Sequence, residues 1–384
     1  MNLSRYKVID SHCHLLLPDK ETKGFEKYWN LSRLQIDSRH LKSQLNYRLM
    51  LKELGKLLLG RSEEAEEKIV SARKKLYTDN PAAYIKMLFR AAGIEAILLD
   101  TGVPNIQTYG YTIPVDVFSK LIPSSTQIRC IVRVEPIIYR LFQERDHSFN
   151  EFVNIFEKEL EENIKTQQAV ALKTTIAYHT GIEIKKMTKQ EASKAYSTYH
   201  KSKCSDRKAE KRIRDYLILI SLEKCIQHDI PIQVHAGIGD APVHDLLGAN
   251  PLLLYQIISD GYFQKVKIVI EHGGYPYLAE SGSLANMYPN VWVGLSSMIP
   301  FASPGVSRCL TELLEMAPVT KIMYGSDCYG VPEIFWFSSV YFKNCLGKVL
   351  KELVSEDMIS HNYAKFVANR ILSENARELY RLSN

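Results

Sequence analysis

The feature that most constrains the fold is a regular alternation of short apolar segments with longer helical stretches. Eight segments rich in valine, isoleucine and leucine have the length and composition of buried β-strands. They lie at residues 8–14, 94–100, 127–136, 169–173, 230–235, 266–272, 290–295 and 321–327. Eight such strands, each leading into a helical connection, predict an α/β fold: a (β/α)8 TIM barrel with a parallel sheet.

The connection between the first two predicted strands is longer than the others. Leucines at helical spacing between residues 49 and 59 precede a charged run at 62–68, which predicts an exposed helix. We therefore predict a single barrel over residues 1–384, with a helical insertion after strand one at residues 19–90. An insertion at this point of a barrel lies over its mouth and can form a lid. A packing or dimer-forming extension is the alternative.

Composition limits the partners that this chain is expected to bind. Its 384 residues are 46% hydrophobic and 24% charged, and the net charge is only +6. That charge is too small to indicate nucleic acid or an anionic membrane. The lysine- and arginine-rich stretch at 185–214 also contains acidic residues, so we interpret it as solvated helices. No apolar run approaches the ~18–20 residues of a membrane span. We expect a small-molecule substrate and leave homo-oligomerisation open.

Cysteine usage and the N-terminus bear on location. The seven cysteines form no Cys-x-x-Cys pair, as is typical of reduced thiols. The first predicted strand begins within ten residues of Met1, which leaves no room for a signal peptide. We therefore expect a cytoplasmic protein.

Polar side chains capable of binding metal recur where the predicted strands end. They are His12 and His14 (strand one), Lys173 (four), His235 (five), His272 (six) and Asp327 (eight). Each alone has an ordinary structural interpretation, such as a hydrogen-bonded core histidine or a helix cap. In a parallel barrel, however, all of these ends meet at one rim, where active sites lie. Four imidazoles and a carboxylate at one rim predict a divalent metal site, with zinc favoured and manganese or iron as alternatives.

These motifs, taken in order, resemble the amidohydrolase superfamily over nearly the whole chain. Within it the sequence is similar to the amidohydrolase-2 branch, especially the nodulin-like domains fused to some glutamine synthetases. The stretches that carry the resemblance are Asp10-Ser11-His12-Cys13-His14, Ala171-Leu172-Lys173-Thr174-Thr175-Ile176-Ala177-Tyr178, Gln233-Val234-His235-Ala236-Gly237, Gly239-Asp240, Glu271-His272-Gly273-Gly274, Gly325-Ser326-Asp327 with Pro332-Glu333, and the C-terminal run at 371–380. One departure is His179, where the branch usually carries arginine.

The resemblance implies a role for each predicted site residue. His12, His14, His235 and Asp327 are expected to hold the metal, which activates a water, and no organic cofactor is expected. Asp327 would act as general base and then general acid. His272 would polarise the scissile carbonyl. In two-metal members a carboxylated lysine at the position of Lys173 bridges the ions and His272 binds the second one. In one-metal members, the arrangement that we favour, this position serves the substrate.

The function predicted from these residues is metal-dependent hydrolysis of an amide or related C–N or ester bond. The substrate is expected to be small, polar and carboxylate-bearing, with Arg133, Tyr178, His179 and Asp240 as its binding residues. A non-hydrolytic decarboxylase or isomerase using the same metal site is the alternative, because the fold does not determine the reaction. A catalytically silent, ligand-binding barrel is the third possibility.

Overall fold

The eight predicted strands form one parallel sheet in chain order in the computed structural model, which describes residues 1–17, 24–103, 114–144 and 146–383. The strands are β1 Val8–His14, β2 Ile94–Asp100, β3 Gln127–Arg133, β4 Ala171–Thr174, β5 Ile232–His235, β6 Ile268–Glu271, β7 Val291–Gly294 and β8 Ile322–Met323. A hydrogen bond from the Ser11 amide to the Tyr324 carbonyl (3.1 Å) brings the end of β8 against β1. The sheet therefore curls into a nearly closed barrel, and the predicted fold class is confirmed.

Several strands are shorter than their apolar segments predicted. β3 ends at Arg133, because a helix begins at Glu135, and β8 keeps only Ile322–Met323. Apolar character reports burial, whereas a strand also requires a neighbouring backbone in register. Residues 324–327 are buried or nearly so but leave the ladder, and Asp327 adopts a left-handed backbone conformation (φ 52°).

Helices connect the strands and surround the barrel. They are α1 Ser38–Ser43, α2 Leu45–Leu59, α3 Glu66–Asp79, α4 Pro81–Ala92, α5 Val115–Leu121, α6 Glu135–Gln143, α7 Phe149–Thr166, α8 Lys189–Lys201, α9 Arg207–His228, α10 Tyr255–Ile258, α11 Leu278–Met287, α12 Met298–Phe301, α13 Val306–Leu314, α14 Glu333–Ser355, α15 His361–Asn369 and α16 Asn375–Leu379, with a π-helical turn at Arg370–Glu374 between the last two. Within these described residues, none of the helices combines the length and apolar character needed to cross a bilayer.

The long connection between β1 and β2 contains α1 to α4, while residues 19–23 of the predicted insertion lie outside the described residues. The charged run predicted as a helix at 62–68 is helical only from Glu66, because Gly60 ends α2 in a left-handed conformation (φ 68°) and the chain needs 61–65 to turn. Ser32 pairs with Ala241 after β5, and the side-chain amide of Asn46 donates to the carbonyl of Pro300, which lies after β7 (3.2 Å). The connection thus contacts segments that follow two strands at the C-terminal rim. Its action as a lid stays a prediction.

The buried apolar residues form two clusters, one on each side of the sheet. Most of them lie between the strands and the surrounding helices. A smaller cluster inside the barrel combines early strand residues with the C-terminal segment: Ile9, Ala96, Leu98, Ile131, Ala171, Val269, Met323, Ala376, Leu379, Tyr380 and Leu382. Since side chains alternate along a strand, the next inward positions are two residues further on. On β2, β3, β4 and β6 the last of these positions are the polar residues Asp100, Arg133, Lys173 and Glu271, which approach the C-terminal rim, whereas the C-terminal segment closes the opposite end.

Candidate metal centre

The predicted metal ligands of strands one and eight lie side by side. The Nε2 atoms of His12 and His14 are 3.3 Å and 3.1 Å from one oxygen of Asp327, Oδ1. The Asp327 amide also donates to the carbonyl of His12 (2.9 Å), which fixes the β8 loop against β1. Both imidazoles are buried, with 1% and 7% of their residue surface exposed. Two imidazoles and one carboxylate oxygen therefore converge at the C-terminal rim.

His272 and His235 complete the group of histidines. His272 Nδ1 lies 3.9 Å from the second Asp327 oxygen, Oδ2, and its Nε2 is 2.8 Å from His235 Nδ1. His272 (φ 63°) and Asp327 (φ 52°) both have left-handed backbones, which are uncommon for residues other than glycine. Such conformations cost roughly 1–3 kcal/mol each and concentrate at functional sites. The structure thus brings His12, His14, His235, His272 and Asp327 into one buried cluster.

Hydrogen bonds determine which nitrogen of His235 is free. The Ser296 hydroxyl donates to Glu271 Oε2 (2.6 Å), so its oxygen can accept from His272 Nδ1 (3.1 Å). His272 Nε2 then carries a lone pair and accepts from His235 Nδ1 (2.8 Å). The remaining lone pair of His235 is on Nε2, which is buried and has no hydrogen-bond partner in the described part of the chain. A metal ion is the kind of partner that such a nitrogen requires.

The charge states of these residues also suit a divalent cation. Burial lowers the pKa values of His12, His235 and His272, so their imidazoles are neutral and able to coordinate. Burial would raise the pKa of Asp327, but the facing His272 holds it well below its usual range. A cluster of neutral imidazoles around a carboxylate is the donor set that zinc and similar ions prefer. His12, His14, His235 and Asp327 would hold such an ion.

Asp100 is a second carboxylate near these histidines. Atoms of His12, His14 and Asp100 lie within 4.8 Å of one another, a spacing that could hold a metal. However, Asp100 Oδ2 accepts from Arg133 Nε (2.8 Å) and Nη2 (2.6 Å), and Oδ1 accepts from the Gly102 amide (2.9 Å). Burial opposes ionisation of Asp100, but Arg133 and then His14 lower its pKa to about 2. Asp100 therefore balances Arg133, and Asp327 is the better candidate ligand.

Lys173 is fully buried on β4, where its register partners on the two flanking strands are Arg133 and Gln233. Its Nζ has no hydrogen-bond partner among the described residues. Burial lowers the pKa of this amine, and Glu271 is the strongest nearby charge acting against that shift. A buried ammonium without a partner is costly, so this position calls for an anion or for covalent neutralisation. Carboxylated metal bridge and substrate cation stay the two predicted roles of Lys173.

The four predicted substrate residues occupy different surroundings. Arg133 is engaged by Asp100, as described above. The Tyr178 ring lies 4.6 Å from the His235 ring, and its hydroxyl accepts from the Asp240 amide (3.1 Å). Asp240 forms a partly exposed ion pair with Arg33 (2.7 Å). His179 lines a cavity of about 580 Å³, whose described walls belong to residues 179–187 and 207–215 and include none of the predicted metal ligands. Tyr178 therefore directly contacts a predicted ligand.

Several side chains that contact the cluster or its ligands were not predicted as site residues. Gln233, whose Oε1 lies 2.8 Å from His12 Nδ1, Glu271 and Asp100 had a usable signal, because they occupy inward positions near strand ends. Gln233, Glu271 and Tyr380 belong to motifs of the family resemblance, which indicated no role for them. Ser296 had no local signal, since a loop brings it to His272.

Comparisons with known proteins bear on the family resemblance and on the fold. The amidohydrolase family model Amidohydro_2 matches residues 218–382, less than half of the chain. Protein fluG of Emericella nidulans is 24% identical over 99% of this chain, which spans about half (46%) of that relative's length. A candidate metal-dependent hydrolase from Lactobacillus casei shares the fold with a TM-score of 0.82 and 23% identity, covering 99% of this chain and 97% of that one. Uronate isomerase from Thermotoga maritima does so with a TM-score of 0.70 and 13% identity, covering 98% and 95%. The resemblance to the amidohydrolase family is thereby confirmed.

Proposed function

We propose that this protein is a metal-dependent hydrolase that cleaves an amide or related C–N or ester bond in a small, polar, carboxylate-bearing substrate. The observation that carries the proposal is that the two oxygens of the Asp327 carboxylate face different histidines. Oδ1 faces the Nε2 atoms of His12 (3.3 Å) and His14 (3.1 Å), whereas Oδ2 faces Nδ1 of His272 (3.9 Å). One oxygen can thus join the ligand set while the other accepts a proton.

A bound divalent ion would supply Lewis acidity and lower the pKa of a water in the site. The protein residues supply the remaining chemistry. Asp327 Oδ2 can accept the proton of the attacking water and deliver it to the leaving group. His272 holds its Nδ1 proton toward Ser296 and lies within 3.9 Å of Asp327, so it orients the carboxylate in addition to any contact with substrate.

The surroundings of Lys173 are the reason to propose that the substrate carries a carboxylate. The guanidinium of Arg133 is already balanced by Asp100 at 2.6 Å, whereas Lys173 Nζ has no hydrogen-bond partner among described residues. A substrate carboxylate placed against Lys173 would pair this buried cation and bring a scissile bond to the metal-facing end of the barrel. Under the same proposal zinc is the metal, a single ion is bound, and residues 19–90 act as a lid over the mouth of a one-domain barrel in the cytoplasm.

Isomerisation of a sugar acid is a second candidate. The protein from Thermotoga maritima with the same fold is named as a uronate isomerase, and such a substrate also carries a carboxylate that Lys173 could bind. Metal-assisted isomerisation needs a proton acceptor at the site, a role that Asp327 could also fill.

The deciding experiment is a reaction screen with zinc-loaded protein. Metal content is measured first by mass spectrometry, and we expect one equivalent. N-acyl amino acids, small carboxylate esters, lactones and uronic acids are then incubated with the protein, and products are identified by mass. Hydrolysis adds 18 Da in total to the products and supports the proposal. A product of unchanged mass supports isomerisation, loss of carbon dioxide supports decarboxylation, and stoichiometric metal without any turnover supports a ligand-binding barrel.

A further inference from the structure

Gln233 connects a predicted metal ligand to the C-terminal end of the chain. Its Oε1 is 2.8 Å from His12 Nδ1, and its Nε2 donates to the Ser11 carbonyl (2.8 Å) and to the Tyr380 hydroxyl (2.8 Å). Gln233 is completely buried and Tyr380 is 2% exposed. We propose that Gln233 and Tyr380 are positioning residues that set the tautomer of His12 and thereby raise the affinity of the site for its metal. The inference rests on the proposed metal-dependent function.

The orientation of the Gln233 amide follows from its neighbours. A backbone carbonyl such as that of Ser11 can only accept a hydrogen bond, so the nitrogen of the amide must face it. The second amide hydrogen goes to the Tyr380 oxygen. A reversed amide would place its oxygen against the Ser11 carbonyl and leave two buried acceptors facing each other, which is unfavourable. Gln233 therefore has one satisfactory orientation, in which Oε1 faces His12.

This orientation selects one tautomer of His12. Because an amide oxygen only accepts, His12 Nδ1 must carry the hydrogen at this 2.8 Å contact. The lone pair of the neutral imidazole is then on Nε2, the atom that lies 3.3 Å from Asp327 Oδ1. A lone pair and a carboxylate oxygen that face each other repel unless a cation binds both. Gln233 thus keeps His12 ready for a metal and disfavours the metal-free arrangement.

Tyr380 makes this orientation depend on the C-terminal segment. It follows α16 (Asn375–Leu379) and lies inside the barrel with Ala376 and Leu379. The side-chain amide of Asn375, the first residue of α16, anchors this segment to the start of β8. It donates to the carbonyls of Val319 (2.7 Å) and Ile322 (2.6 Å). A hydrogen-bonded path therefore runs along the barrel interior from the C-terminal segment to a metal ligand.

An alternative explanation is that Gln233 and Tyr380 only pack the barrel. A buried amide costs free energy that an apolar side chain of similar size would avoid, and Val269, the register partner of Gln233 on β6, is indeed apolar. Hydrogen-bond partners of metal-binding histidines fix the ring tautomer, and their loss typically lowers metal affinity 10- to 100-fold. The two explanations differ in whether metal affinity or only stability depends on these residues.

The test compares Gln233→Met and Tyr380→Phe with wild-type protein. Tyr196→Phe is the matched control, because it removes the hydroxyl of another buried tyrosine, which donates to the His147 carbonyl (2.9 Å) in a partly buried hydrogen bond away from the predicted metal ligands. Zinc affinity is measured by competition with a chelating dye. We expect it to fall about 10- to 100-fold in Gln233→Met and roughly 2- to 10-fold in Tyr380→Phe, the loss of one hydrogen bond. Tyr196→Phe should lower thermal stability and leave zinc affinity unchanged.

A second readout needs no metal. In ¹H–¹⁵N spectra of the metal-free protein, the His12 signals, assigned by their loss in His12→Asn, should report an Nδ1–H imidazole in wild type and a shift toward Nε2–H in Gln233→Met. Unchanged zinc affinity or an unchanged tautomer in Gln233→Met would overturn the inference, and a Tyr380→Phe affinity equal to that of Tyr196→Phe would remove Tyr380 from it. If Gln233→Met does not fold, Tyr380→Phe and the wild-type tautomer decide. If wild-type protein binds no zinc, the proposed function fails, while the spectra still test the role of Gln233.

Discussion

Replacing Asp327 by asparagine separates its two roles at the proposed metal centre. The side chain keeps its size, and its amide oxygen can occupy the place of Oδ1, 3.1–3.3 Å from the Nε2 atoms of His12 and His14. The amide nitrogen then occupies the place of Oδ2 beside His272, where it cannot accept a proton. The variant therefore retains an oxygen ligand and loses the proposed general base.

The expected size of the effect follows from this geometry. Because three imidazoles and one oxygen remain, we expect zinc to be largely retained at saturating concentration. Loss of a general base typically lowers turnover 10²- to 10⁴-fold, which corresponds to about 2.7–5.4 kcal/mol in the activation free energy. The deficit should be in kcat, since Oδ2 is assigned to proton transfer and Lys173 to substrate binding.

The assay is steady-state kinetics with the substrate found in the screen, on protein whose zinc content has been measured. Asp260→Asn is the control, because that carboxylate pairs with Lys186 (2.6 Å) outside the metal cluster and its loss should leave kcat within a few-fold. Wild-type kcat in fully zinc-loaded Asp327→Asn would refute the assignment of the general base. Loss of zinc together with activity would show that the negative charge is required for binding.

Three further predictions concern metal, stability and pH. The combined His12→Ala and His14→Ala substitutions should abolish stoichiometric metal while the far-ultraviolet circular dichroism stays native, and full retention of metal would exclude this pair as ligands. Arg73→Met should lower the unfolding free energy in urea by roughly 3–5 kcal/mol, because Glu333 (0% exposed side chain) would lose a buried partner at 2.6 Å. Adding Glu333→Leu should recover most of that loss, and an equal or larger loss in the double variant would contradict the explanation. Burial raises the pKa of Asp215 to about 6 from 3.8, so its contribution to stability is complete below pH 4 and is lost as pH rises through 6; the urea midpoint of Asp215→Asn should lack this decrease.

The barrel could be predicted because each strand is buried on both sides. A strand between a filled interior and a helical layer must be apolar at nearly every position, which produces short valine- and isoleucine-rich runs. β2 matched its apolar segment at both ends, since Asp100 and the following Gly102 mark its exit. The ends of β3 and β8 could not be predicted in this way, because residues beyond them are buried without pairing in the sheet.

The clustering of the histidines and Asp327 could be predicted because parallel strands end at the same rim. Histidines and an aspartate that follow apolar segments 8–14, 230–235, 266–272 and 321–327 must approach one another once the sheet closes. This reasoning identifies which residues meet, since it depends only on their position along each strand. It carries no information on side-chain direction, and so it could not distinguish Tyr178, which contacts His235, from the adjacent His179, which lines a separate cavity.

By itself, the sequence determined the barrel, the order of its strands and the histidines and aspartate that meet at the rim, because hydrophobic periodicity and strand polarity are local properties of the chain. Only the tertiary structure decided which nitrogens of His12 and His235 are free, which Asp327 oxygen faces His272, and which cations are already paired. Those properties depend on contacts between residues far apart in sequence, such as Tyr380 with Gln233 and Ser296 with His272. Such a hydrogen bond forms only within a donor–acceptor range a few tenths of an ångström wide and in a suitable direction. Both are established only when the packed barrel brings the partners together.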